Sequence, residues 1–151
     1  MQTHLIRSAA VLLFAVVLSN CNRDKNTNHQ EGMNNPILQK WTGPYNGVPP
    51  FDKIKTSDFK SALEAGMTEN RDEIKGIVAN TEAATFKNTI EALERTGFAL
   101  RRAVSIYGIW KSNLGSPEMD SIQEVMEPRL TTFYDSIIQN TELFKRIETV
   151  F

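Results

Sequence analysis

Between Thr85 and Asn113 apolar residues recur at helical spacing. Phe86, Ile90, Leu93, Gly97, Leu100, Val104 and Tyr107 fall within about 100° of arc when each residue turns the chain by about 100°. The spacing predicts one helix over 85–113, started by the Thr85 hydroxyl and closed by Asn113 with Gly115. Gly97 leaves room on that stripe for a close helical neighbour. From Phe98 onward a second apolar face appears, made of Phe98, Ile106 and Ile109. A helix wet on one side does not need it, so the C-terminal half is expected to be covered on two sides.

Two more helices flank this one, and a fourth begins. Thr56 is the expected N-cap of the first, with Asp58 placed favourably against the helix dipole. Phe59, Leu63, Met67, Ile74 and Ile77 form its stripe, and Asn70 lies in the same arc, where a hydrogen bond between helices is expected. Asn80 ends it, and the short turn over 81–84 makes the first two helices antiparallel neighbours. Ser116-Pro117-Glu118 opens the third helix with a cap, a proline at the first helical position and an acid in the first turn. Met119, Ile122, Met126, Leu130, Phe133 and Ile137 span about 80° of its wheel. Pro128 interrupts, but the stripe passes through it in phase, so one kinked helix is expected. Asn140 and Thr141 break the chain again before Leu143, Phe144 and Ile147. The predicted fold class is all-α.

The first twenty residues carry a different pattern. Arg7 gives a short positive start, and Ala9 to Leu18 is unbroken apolar sequence. That run is too short for a membrane-spanning helix, which needs about 20 residues, and suits the core of an export signal. Leu18-Ser19-Asn20-Cys21 follows, and then a polar stretch. The arrangement resembles a bacterial lipoprotein signal, which implies a signal peptide over 1–20 and lipid attachment at Cys21. Cys21 is the only cysteine, so no internal disulfide exists. Residues 21–35 are polar and rich in asparagine, and they read as a tether. The implied location is the cell envelope, anchored to a membrane and facing the periplasm.

The 151 residues are 40% hydrophobic, one domain's worth of chain with enough apolar material for a core. Seventeen basic and eighteen acidic residues give a formal charge of -1, which offers no attraction to a polyanion and argues against nucleic acid.

Between the tether and the first helix lies NPILQKWTGPYNGVPPFDKIKTSD, pinned by Pro36, Pro44, Pro49 and Pro50. It reads as an irregular wrap over the helical body, inserting Trp41, Tyr45 and Phe51 as packing aromatics. NPILQKWTGPYNGVPPFDKI, DFKSALEAGMTENRDEI, TFKNTIEALERTG and NTELFKRIETVF, in that order, resemble the start of the M3 family of zinc oligopeptidases, in its bacterial peptidyl-dipeptidase (dipeptidyl carboxypeptidase) branch. The resemblance implies that residues 36–151 are the N-terminal helical region of a larger, two-lobed helical peptidase. Such enzymes cut short unstructured peptides, and this branch releases dipeptides from free C-termini. The region would wall or gate the substrate channel. The chain's ending, Glu148-Thr149-Val150-Phe151, carries no closing signal, and with the doubly apolar second helix it fits the front of something larger.

The family's zinc is held by two histidines of a helical His-Glu-x-x-His and a later glutamate, because i and i+4 share a helical face. The only histidines here are His4 in the signal and His29 in the tether. No catalytic residue and no metal ligand is therefore assigned, and zinc is expected only in the full-length parent. Glu91 and Glu94 with Arg95, Arg101 and Arg102 read as a solvated helical face. Ser105 and Ser112 have no histidine within the helical body. Gly43 and Gly47 sit among prolines and do not make a phosphate loop.

Two readings stand. One is the catalytically silent N-terminal part of a membrane-anchored zinc peptidase; the other is a free-standing, lipid-anchored helical interaction module. Both share one prediction. Cys21→Ser leaves the protein in the soluble fraction or as unprocessed precursor, and membrane fractionation that shows no change overturns the lipid assignment.

Overall fold

The computed structural model describes residues 34–44 and 47–151. The signal over 1–20, Cys21, most of the tether and Tyr45 lie outside them. The described body is helical, as expected, and its only extended pairing is the bridge between Thr42 and Val48. No helix among the described residues is long and apolar enough to cross a membrane.

Helix α1 (Asp58–Val78) is the central element. Its whole expected stripe is buried: Phe59, Leu63, Met67, Asn70, Ile74 and Ile77. The start differs by one residue from expectation. Ser57 is the N-cap and its side chain makes no capping bond, while the Asp58 carboxylate accepts the Lys55 N–H at 2.8 Å.

The expected helix over 85–113 is two pieces. Thr85 does cap its start: its hydroxyl accepts the Asn88 N–H at 3.2 Å, and the Asn88 side chain accepts the Thr85 N–H at 2.8 Å. Behind this reciprocal cap comes a π-helical turn, Phe86–Glu91, then the short α2 (Ala92–Glu94). The chain breaks at Gly97, which takes φ +68, a left-handed conformation inexpensive only for glycine. Glu73 on α1 accepts the Gly97 N–H at 2.6 Å, and Arg101 Nη1 donates to Thr96 O at 2.5 Å. A helix then restarts as α3 (Phe98–Asn113). The break takes Phe86 out of the expected stripe and leaves it 62% exposed. α3 ends at Asn113, whose amide donates to Ile109 O at 2.7 Å, but the C-cap is Leu114, donating to Trp110 O, and Gly115 does not take the left-handed conformation expected of a closing glycine.

Gly97 and Gly66 set how closely α3 lies on α1. A Cβ on Gly66 would stand 2.8 Å from the Leu100 Cα, and one on Gly97 would stand 2.5 Å from the Asn70 amide nitrogen. Further along, Tyr107 and Trp110 pack against Phe59 with ring centroids 5.9 and 5.5 Å apart. The order of these contacts makes the two helices antiparallel. Asn70 is buried here, but its Oδ1 has no partner, so it does not supply the expected bond between helices.

Ser116 caps α4 (Pro117–Ile138), its hydroxyl accepting the Met119 N–H at 3.2 Å. The helix continues through Pro128, and Met119, Met126, Leu130 and Phe133 are buried. Arg129 pairs with Glu64 and Arg71 lies 5.4 Å from the Phe133 ring, so α4 runs parallel to α1. Lys111 pairs with Glu127 across to α3. Asn140 caps α5 (Thr141–Glu148), whose Leu143 reaches Ile74 and Ile77 at the far end of α1. Arg146 donates there to Asn80 O at 2.8 Å.

The wrap holds the near end of α1 with Ile37 and Ile54, and with Trp41 packed against the same core. Ile37 and Ile54 are buried, Trp41 is half-buried and Phe51 is 42% exposed. Phe51 is thus not inserted as expected: it lies in a tight turn, where its N–H donates to Pro49 O and the Lys53 N–H to Pro50 O, both at 2.9 Å. Asn35, placed with the tether by sequence, belongs to the body. It donates to Asp58 O at 2.7 Å and accepts the Ile37 N–H at 2.9 Å. Arg102 reaches from α3 to Leu38 O at 2.6 Å, its guanidinium over Trp41 and Phe98.

Two measurements check this packing. Gly66→Ala forces α1 from α3 and should cost about 1–3 kcal/mol. Gly76→Ala meets nothing within 4 Å and should instead stabilise by about 0.5–1 kcal/mol. Thermal melts of both variants test the pair of signs. Tyr107 gives a second test. Burial, with Glu127 adding to it, pushes its phenol up to about 12, and its hydroxyl has no partner. The folded phenol thus holds its proton more tightly than the unfolded one. Its contribution is present below pH about 10 and is lost as pH rises through the folded value. Denaturation midpoints should fall between those limits, and Tyr107→Phe should flatten the fall without loss at neutral pH.

Candidate functional site

The chemistry-bearing residues singled out by sequence do not converge. Cys21, His4 and His29 lie outside the described residues, so the body contains neither thiol nor imidazole. Glu91 and Arg95 form an exposed pair one helical turn apart, worth a few tenths of a kcal/mol. Ser105 and Ser112 are exposed on α3, and the Ser105 hydroxyl donates to its own helix at Arg101 O, 2.8 Å away. A serine held in that way, with no base beside it, is not an activated nucleophile.

Gly43 and Gly47 close a tight loop. Their φ values are +106 and +101, and a Cβ on Gly47 would stand 2.6 Å from Trp41 O. Val48 donates to Thr42 O across that loop at 3.2 Å. The glycines serve the turn, not a phosphate.

One feature escaped the sequence reading. Asp120, Gln123, Glu124, Glu127, Pro128 and Thr131 line a shallow groove of about 550 Å³ along α4. Their recurrence at three- and four-residue intervals was the available signal. Glu127 is already paired with Lys111 there.

A zinc centre does not fit these residues. Among the described residues no group of three or more His, Cys, Asp or Glu side chains could hold a metal ion. Hydrolytic zinc needs about three protein ligands and an open position for water. No chemical step is therefore derived through a metal on this body.

What the body does offer is uneven cover. Its main core closes around Phe59, Leu63, Leu100, Ile106, Met119 and Met126. At the far end of α1 only Ile74, Ile77 and Leu143 are buried together. Ile138, Phe144 and Phe86 are 79%, 61% and 62% exposed. On α3 the second apolar face is divided: Ile106 is buried, while Phe98 and Ile109 face outward.

No family model matches the chain. Two curated relatives do. Dipeptidyl carboxypeptidase of Salmonella typhimurium is 32% identical and dipeptidyl carboxypeptidase of Escherichia coli 34% identical, each over 116 residues. The matched residues make up 77% of this chain and 17% of each relative, so the chain spans about a sixth of their length. A match of that extent takes in most of the helical body, and the body belongs to the peptidyl-dipeptidase (dipeptidyl carboxypeptidase) branch of the M3 oligopeptidases.

Proposed function

We propose that this chain is the N-terminal helical region of a membrane-anchored zinc peptidyl-dipeptidase, in which it walls or gates the channel that admits short peptides. The observation that carries the reading is the 32–34% identity to two dipeptidyl carboxypeptidases over 116 residues. The helical body contributes shape and exclusion: a folded protein is too wide to enter beside such a wall, whereas an extended peptide is not. Peptide hydrolysis, release of C-terminal dipeptides and zinc ligation belong to residues other than those of the helical body. Cys21 would carry the lipid, with the polar tether holding the body clear of the bilayer on the periplasmic side.

The body is proposed to be catalytically silent by itself. The purified 151-residue chain, supplied with zinc and a tripeptide blocked at its amino terminus, should show no hydrolysis above background. Turnover that a chelator abolishes would contradict this. A reading frame that continues past Phe151 into a His-Glu-x-x-His helix supports the proposal.

A further inference from the structure

At Gly97 the local pattern of the chain and its fold disagree. The apolar stripe runs in phase from Phe86 through Gly97 to Tyr107, as one unbroken helix would place it. The folded chain instead makes a π-helical turn over Phe86–Glu91 and a left-handed corner at Gly97. Phe86, on the stripe, is left 62% exposed, while Thr89 is fully buried. Such a conflict between local signal and global fold marks a strained or functional place.

The corner holds because side chains take over the hydrogen bonds of the missing helical turn. In an unbroken helix the Gly97 N–H would donate to Leu93 O and the Leu100 N–H to Thr96 O. Here the Glu73 carboxylate accepts the Gly97 N–H at 2.6 Å, and Arg101 Nη1 donates to Thr96 O at 2.5 Å. Leu93 O accepts the Thr96 N–H at 3.0 Å and the Thr96 hydroxyl at 2.8 Å. Bending therefore exchanges helical hydrogen bonds for others without leaving these groups unpaired. Thr96 and Arg101 are local to the corner. Glu73 reaches it from α1, 24 residues away, and is the one bond of this set that ties the bend to the rest of the body.

We propose that the segment from Thr85 to Gly97 is a two-state element and that Glu73 is the latch of its bent form. With the latch released, residues 85–113 close into one helix and Phe86 turns inward with the rest of its stripe. The two forms exchange hydrogen bonds and differ in the exposure of one large side chain, so they lie close in free energy and a single bond selects between them. The switch is a property of this chain and does not depend on the peptidase reading.

Spin-label distances in the full chain test the latch. With Cys21→Ser removing the native thiol, Lys87→Cys and Ser112→Cys place labels at exposed positions on either side of the corner. One straight helix would hold them about 37 Å apart at about 1.5 Å per residue, and the corner at Gly97 brings them closer. The labelled chain with Glu73 intact should show the shorter distance. Glu73→Ala should raise the ratio of long to short by about tenfold or more, the effect of losing a hydrogen bond to a charged acceptor. Glu73→Gln, which keeps an uncharged acceptor, should fall between them and carries the test if melting curves show Glu73→Ala unfolded. Adding Phe86→Ser to Glu73→Ala should restore the short distance, because burial of Phe86 favours the straight helix. Lys75→Ala, which breaks an exposed pair with Asp72 on the same helix, should change nothing. A short distance that the Glu73 variants leave unaltered overturns the proposal. So does a broad spread of distances with rapid amide exchange over 85–97, because the segment then melts instead of straightening.

Discussion

The close approach of α1 and α3 is the constraint on which the rest of the body depends. Gly66 lets the Leu100 backbone come within van der Waals contact of α1, and Gly97 does the same for Asn70. With any larger residue at these positions the axes would separate, and Leu63, Met67, Leu100 and Ala103 would lose their mutual contact. Interiors are packed nearly as densely as crystals, so a gap of even one methylene there is felt. The same approach brings Tyr107 and Trp110 onto Phe59, and places Arg102 where it can hold the wrap through Leu38 O and Trp41.

Much of this was legible because amphipathic helices write their buried face into the chain. The α1 stripe, the Thr85, Ser116 and Asn140 caps, the continuity of α4 through Pro128 and the antiparallel pairing of α1 with α3 all follow from local spacing and capping chemistry. The break at Gly97 was not legible. Gly97 lies in phase with the apolar stripe on either side, and the feature that makes it a corner is Glu73, which accepts its N–H from 24 residues away. The wrap misled for a related reason. Aromatic residues between prolines suggest inserted anchors, and Trp41 does pack against the core, but Phe51 stays exposed and Ile37 and Ile54 are the wrap's buried residues. As for function, the described residues assemble no catalytic constellation, and the family came from the order of several long blocks.

The body is therefore well closed at one end and thinly covered at the other. Asn35, Ile37, Ile54 and Arg102 seal the near end of α1 with buried apolar side chains and directed hydrogen bonds. At the far end α5 lies on α1 through Leu143 and Ile147, helped by the Arg146 bond to Asn80 O. Full burial of one large aliphatic side chain contributes roughly 1.5 to 3 kcal/mol, so an eight-residue helix held by buried Leu143 and partly buried Ile147 opens more readily than the centre.

Native-state hydrogen exchange along the chain tests this gradient most directly. The account predicts the slowest amides in the middle of α1 and α3, around Leu63 to Met67 and Leu100 to Ala103, with α5 exchanging at least about a hundredfold faster through local opening. Uniform protection from α1 through α5 would contradict it, because the far end would then be as complete as the core.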